Sequence, residues 1–151
     1  MADAALSRGD HLLLLLVLCS AGIVVAGDLT LQWYQAEHAT WCDVSSYFSC
    51  TRVRDSPYSA FAGIPTATVG LGGFALLAGL TVLALWGRAR VGPWAIERWL
   101  VLLSVVGAII GLGLSLVEVF VVQAVCILCT LAFGLDLSIL AVASVLPRTD
   151  S

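Results

Sequence analysis

Four long apolar runs dominate the pattern of the chain, the first three of them separated by polar segments. They cover about residues 12–32, 66–86, 99–120 and 122–146, and each is close to the roughly 20 residues that a helix needs to cross a bilayer. The chain is 60% hydrophobic and only 11% charged, whereas a soluble domain carries about 25% charged residues. The pattern predicts an all-α membrane protein in which residues 1–151 form a single domain, a four-transmembrane-helix bundle in the lipid bilayer.

The first apolar run also fits a second interpretation. Arg8 precedes the run, and the small residues Val25, Ala26 and Gly27 stand near its end. This is the arrangement of a cleaved signal peptide, so the run is either the first span or a leader.

The arginines predict the orientation of the four spans. One side of an alternating topology carries five of them, Arg8, Arg88, Arg90, Arg98 and Arg148, and the other side carries Arg52 and Arg54. By the positive-inside rule, both termini are then cytoplasmic. We expect a multi-pass protein of the cell (inner) membrane, with an extracytoplasmic loop between the first two helices. The net charge of −3, with no basic patch, predicts no nucleic-acid partner.

Four of the five cysteines form two pairs. Cys42 and Cys50 lie in the polar segment between the first two spans, and Cys126 and Cys129 form a C-x-x-C motif in the first turns of the fourth span. In the predicted topology, both pairs reach the extracytoplasmic face. Cys19 stands alone within the first span and is expected to be an inert packing residue.

The spacing of the second pair favours redox chemistry over a structural role. Cysteines at positions i and i+3 share one face of a helix, and a disulfide within a single turn holds no separate elements together. The positive end of the helix dipole also stabilises a thiolate. Taken alone, Cys42 and Cys50 could form a structural disulfide, and the four thiolates could instead bind zinc. An oxidising face favours disulfides over thiolates, so no metal site is predicted.

Two dithiols at one membrane face are suited to relay electrons. A pair on a loop can exchange disulfides with a soluble protein through a mixed disulfide. A pair fixed at the membrane edge can meet a hydrophobic acceptor of two electrons, and a quinone has the solubility for that role.

Further residues around the cysteines match a known family. They are Cys42-Asp43-Val44, Phe48-Ser49-Cys50, Ser56-Pro57-Tyr58 and Gly63-Ile64-Pro65 before the second span, together with Cys126-x-x-Cys129 at the start of the fourth. By these motifs the chain resembles the vitamin K epoxide reductase (VKOR) family over roughly residues 12–145.

The resemblance implies the order of the relay. Electrons would pass from a thioredoxin-fold partner to a quinone through Cys42, Cys50, Cys126 and Cys129, in that order. Many bacterial relatives carry a fused thioredoxin-like domain, for which this chain has no room. The partner is therefore expected to be a separate, DsbA-like protein.

The resemblance also implies the residues that contact the quinone, which would be ubiquinone, menaquinone or vitamin K. Cys129 would lie nearest its ring, and Ser56 and Phe133 would line the site. Ser56 also suits the N-cap of a helix, because Ser-Pro is typical of a helix start. Some members have a tyrosine at the position of Phe133, and the phenyl ring cannot replace that hydroxyl as a hydrogen-bond donor.

Two carboxylates within the spans are further candidates, since an ionisable group in a membrane is costly. Glu118 falls near the outer end of the third span. It could supply protons for quinone reduction, but an interfacial glutamate in contact with water is the simpler interpretation. Asp136 could be a protonated packing residue or a partner for a hydroxyl such as Ser104. Gly107 and Gly111 have the spacing that lets helices pack closely.

Together these features predict a quinone-dependent thiol–disulfide oxidoreductase. It would reoxidise a thioredoxin-fold partner and thereby drive disulfide formation in exported proteins. The nearest alternative is a vitamin K or vitamin K epoxide reductase with the same fold. Alternatives from other classes are a thiol-based metal transporter and a non-enzymatic membrane scaffold with a stapled outer loop.

Overall fold

The computed structural model describes residues 7–34, 60–61, 64–88, 90–123 and 127–146. In this part of the chain, four helices are long and apolar enough to cross a membrane. They are α1 (Arg8–Tyr34), α2 (Thr66–Leu85), α3 (Ile96–Val117) and α4 (Ile127–Val145). The predicted all-α membrane bundle is thus confirmed. The cysteine-bearing loop between the first two helices falls on residues 35–59 and lies outside the described residues.

The helices pack as a ring. Helix α1 packs against α2 and α4, and α3 packs against α4 and α2. The buried interior is made of apolar side chains from every helix, among them Leu15, Leu80, Leu100 and Ile139. Many other large apolar side chains are exposed, as expected for residues that face lipid tails. Because α1 contributes fully buried positions, its packing favours a membrane span over a signal peptide.

Short hairpins lead into α2 and connect α2 to α3. The strands β1 (Ala60–Phe61) and β2 (Ile64–Pro65) pair just before α2, and β3 (Arg90–Val91) pairs with β4 (Trp94–Ala95) after it. Helix α2 ends in a Schellman motif, in which the Arg88 amide donates to the Leu83 carbonyl and the Gly87 amide to that of Ala84. Gly87 has φ +93°, a conformation that glycine adopts without steric cost.

An ion pair joins the N-terminal ends of α1 and α3. The guanidinium of Arg8 donates to a carboxylate oxygen of Glu97, and the Glu97 side chain is only 6% exposed. These two helix ends therefore lie at the same end of the bundle, as an alternating topology requires. Trp99 supports the neighbouring hairpin, because its indole Nε1 donates to the Val91 carbonyl over 2.9 Å.

Candidate functional site

The structure describes four of the residues singled out in the sequence. They are Glu118, Cys129, Phe133 and Asp136. The other candidates, Cys42, Cys50, Ser56 and Cys126, lie outside the described residues. The geometry of the site is therefore built from the helices that carry the first four.

Cys129 lies in the first turn of α4, near the C-terminal end of α1. It is partly buried, and it packs with Val25 and Leu29 of α1 against Leu128, which is 5% exposed. The first turn of a helix carries amide groups without intrahelical partners and a partial positive charge, which favour an anion such as a thiolate. Because Leu128 packs against Val25 and Leu29, helix α4 begins beside the end of α1 that leads into the segment carrying Cys42 and Cys50.

The reach of the chain is compatible with an exchange between the two cysteine pairs. Cys42 follows Tyr34, the last residue of α1, by eight residues. An extended chain of that length spans up to about 28 Å. Cys42 and Cys50 need not cross the bundle to approach Cys129.

One face of α4 carries Cys129, Phe133 and Asp136, at the spacing i, i+4 and i+7. The last two of these side chains lie against glycines of α3. A Cβ added to Gly111 would overlap the Phe133 ring, and a Cβ added to Gly107 would lie 3.0 Å from Oδ1 of Asp136. The glycine spacing seen in the sequence thus belongs to the contact between α3 and α4, which we call the glycine seam.

The glycine seam also sets the depth of Glu118. Gly107 lies opposite Asp136, and Gly111 lies opposite Phe133, so the two helices run antiparallel with a fixed register. Since both rise about 1.5 Å per residue, continuing the register brings Glu118 level with the N-terminal end of α4. The carboxyl group therefore lies at the same depth as the start of the C-x-x-C helix.

Glu118 is buried, with 6% of its surface exposed. This differs from the simpler expectation of an interfacial glutamate in contact with water. It is the first residue of a π-helical segment, Glu118–Val122, which ends at Gln123 with a left-handed backbone (φ 57°). Short π-helical segments inside longer helices are frequent at functional sites. The wider winding is the reason that the sequence alone did not predict the burial.

Asp136 belongs to a buried polar centre to which α1, α2 and α4 each contribute one side chain. The others are Cys19 of α1 and Thr81 of α2, both fully buried, and Cys19 lies close to both Thr81 and Asp136. The Thr81 hydroxyl donates to the Leu77 carbonyl over 2.8 Å and lies within hydrogen-bonding reach of the Cys19 thiol. Cys19 is thus a buried residue of the bundle interior.

A hydrogen bond between Asp136 and Ser104, which is one of the alternatives that the sequence leaves open for Asp136, is not formed. Among the described residues, the Ser104 hydroxyl and Oδ2 of Asp136 have no hydrogen-bond partner. Asp136 lies two turns below Cys129, roughly 10 Å along the helix at 1.5 Å per residue. This depth separates it from the redox end of the bundle.

Sequence reasoning did not identify Glu97. Arg8 was used only to orient the spans, and its partner is 89 residues away. The sequence does show a glutamate in the first turn of an apolar helix, which is a signal for a buried ion pair. The residues next to Glu97 in the chain do not indicate that its partner is Arg8. Within the described residues, there is no group of three or more metal-ligating side chains.

Comparison with known proteins places the chain in a family. No curated protein sequence matches it. The sequence profile of the Vitamin K epoxide reductase family matches residues 13–144, which is nearly the whole chain. The match spans all four membrane helices and the segment with the first cysteine pair. The chain therefore belongs to the vitamin K epoxide reductase family, and the protein is a multi-pass membrane oxidoreductase of that family.

Proposed function

We propose that the protein is a quinone-dependent thiol–disulfide oxidoreductase that reoxidises a separate thioredoxin-fold protein. One observation carries the proposal. Leu128 packs the first turn of α4 against the last turns of α1, so the segment with Cys42 and Cys50 starts beside the C-x-x-C helix. Family members use quinones, and such an enzyme would drive disulfide formation in exported proteins.

The surroundings of Cys129 fit a flat hydrophobic acceptor. Val25, Leu29 and Leu128 make this end of the bundle apolar, and the Phe133 ring lies one helical turn from Cys129 on the same face. A quinone accepts two electrons and two protons when it is reduced. The buried carboxyl of Glu118, level with this end of α4, is the proposed proton donor. Ser56 is proposed to line the same site.

The relay is balanced in thiols and disulfides. Oxidation of Cys126 and Cys129 to a disulfide releases two electrons and two protons, which the acceptor takes up. The Cys50 thiolate then attacks the Cys126 sulfur and forms a mixed disulfide, with Cys129 as the leaving thiolate. Attack by Cys42 on Cys50 releases Cys126 and leaves a Cys42–Cys50 disulfide. The partner's dithiol reduces that disulfide by the same exchange.

The proposed orientation puts both termini in the cytoplasm and both cysteine pairs on the extracytoplasmic face. The arginine count supports it. The ion pair between Arg8 and Glu97 supports the alternation of the spans, because it joins two helix ends that the topology assigns to the same face.

The decisive experiment combines turnover and trapping. Purified protein in liposomes is given a reduced thioredoxin-fold protein and ubiquinone, menaquinone, vitamin K or vitamin K epoxide. We expect quinone reduction that Cys129→Ala abolishes and that the matched control Cys19→Ala retains, because Cys19 lies outside the relay. The variant Cys50→Ala should accumulate a mixed disulfide between Cys42 and the partner.

Three outcomes would contradict the proposal. Epoxide turnover comparable to quinone turnover would assign the protein to the reductase alternative. Full turnover by Cys129→Ala would remove the C-x-x-C motif from the mechanism. Thiol-bound metal retained on purification, together with absent quinone reduction, would indicate a metal transporter.

A further inference from the structure

Gly111 differs from the neighbouring glycines in what surrounds it. A Cβ at Gly111 would overlap Cδ2 of the Phe133 ring, whereas a Cβ at Gly113 or Gly134 would meet nothing within 4 Å. The Cε2 and Cγ atoms of the same ring would also be in tight contact, at 3.0 and 3.2 Å, so a side chain at position 111 would displace the ring. The Phe133 ring can occupy its place only because residue 111 has no side chain.

The position of the Phe133 ring bears directly on Cys129. Side chains in a helix point toward its N-terminus and cover the preceding turn. In α4 the turn that precedes Phe133 contains Cys129. The direction that the Phe133 ring takes therefore decides how far it covers the turn that contains Cys129.

We propose that Gly111 is a positioning residue for the redox site. By admitting the Phe133 ring into the glycine seam, it keeps the approach to the Cys129 sulfur open to the acceptor. Gly111 touches neither the thiol nor the acceptor and acts only through Phe133. The catalytic consequence rests on the proposed function, whereas the accessibility of the Cys129 thiol does not.

The first test is kinetic and uses Gly111→Ala in liposomes with a short-chain ubiquinone. A methyl group at position 111 overpacks the contact between α3 and α4 and displaces the Phe133 ring, which hinders the approach of the quinone to Cys129. We expect KM for the quinone to rise about tenfold, with a smaller change in kcat. The matched control Gly113→Ala, on the same helix, should leave both constants unchanged.

The second test does not require turnover. In a background where the other four cysteines are replaced by alanine, the alkylation rate of Cys129 by a small maleimide reports its accessibility. Gly111→Ala should slow alkylation about tenfold. Adding Phe133→Leu should restore the rate, because the smaller side chain relieves the overlap. In Phe133→Leu with Gly111 intact, Cys129 should be alkylated at least as fast as in the parent. This variant supplies a measurement if Gly111→Ala does not fold.

A purely structural role for Gly111 predicts a different result. Gly22→Ala is the control, because a Cβ there would overlap the Phe74 ring between α1 and α2, on the opposite side of the ring of helices. It should lower stability without changing the alkylation of Cys129. Equal alkylation rates in Gly111→Ala and Gly113→Ala, or a failure of Phe133→Leu to rescue, would overturn the inference. Absence of quinone reduction in the parent protein would instead overturn the proposed function.

Discussion

Removing Arg8 should destabilise the bundle strongly, and more than removing its partner. The Glu97 side chain is 6% exposed and that of Arg8 is 21% exposed. Arg8→Ala leaves a carboxylate buried at the start of α3 without its cation. Breaking a buried ion pair in this way costs about 3–5 kcal/mol. We expect the free energy of unfolding to fall by that amount.

The reverse substitution should be milder. In Glu97→Gln, the amide oxygen still accepts a hydrogen bond from Arg8, and the arginine stem is long enough to carry its charge to the interface. We expect a loss of about 1–2 kcal/mol. The double variant Arg8→Met with Glu97→Met should be close to the parent protein, because an apolar replacement of a buried ion pair is often neutral or stabilising.

Tryptophan fluorescence during reversible SDS unfolding in mixed micelles measures these differences. The double variant Arg8→Ala with Glu97→Gln completes a double-mutant cycle with the two single variants and the parent, which isolates the coupling between the two side chains. Equal losses for Arg8→Ala and Glu97→Gln, or a loss below about 1 kcal/mol for Arg8→Ala, would refute the reasoning. The pair would then behave as an exposed surface ion pair.

Five further substitutions, at four positions, test the packing and the backbone through the same unfolding assay. The free energy of unfolding should rise by about 0.5–1 kcal/mol in Gly113→Ala, because alanine has a higher helix propensity than glycine. Gly107→Ala should be at least about 1 kcal/mol less stable than Gly113→Ala, since its Cβ presses on Asp136. Equal stabilities of the two variants would contradict the contact between Gly107 and Asp136. Ser104→Ala should leave the free energy of unfolding unchanged or raise it by up to about 1 kcal/mol, because the buried hydroxyl has no hydrogen-bond partner in the described part of the chain. A loss of more than about 1 kcal/mol would reveal such a partner. Because residue 123 has φ 57°, Gln123→Gly should leave the free energy of unfolding unchanged, and Gln123→Val should lower it by about 1–2 kcal/mol. A valine variant more stable than the glycine variant would argue against the left-handed backbone at this position.

The four-helix architecture could be predicted from the sequence because the signals for membrane helices are local in the chain. The length of each apolar run predicts a span, and the C-x-x-C motif lies near the start of the fourth run. The burial of Glu118 was not predictable, since a change from α- to π-helical winding leaves no mark in hydropathy. The spacing of Gly107 and Gly111 predicted close packing but not which side chains would fill the space.

Contacts between residues that are far apart in the chain were the second feature that could not be predicted from the sequence. Arg8 and Glu97 are far apart in the chain, and each alone resembles an ordinary interfacial charge. The polar centre around Asp136 is similar, because its members come from three different helices. Hydropathy assigns each residue to a span, but it does not assign the helix face that each side chain shares with its neighbours.

The glycine seam has a consequence for sequence variation. Because Phe133 occupies the space that a side chain at position 111 would need, the two positions are constrained as a pair. A homologue with alanine or serine at position 111 should carry a side chain smaller than phenylalanine at position 133. The same coupling should hold between positions 107 and 136, whereas position 113 should vary independently. Homologues that combine alanine at position 111 with an aromatic residue at position 133 would require a wider separation between the third and fourth helices.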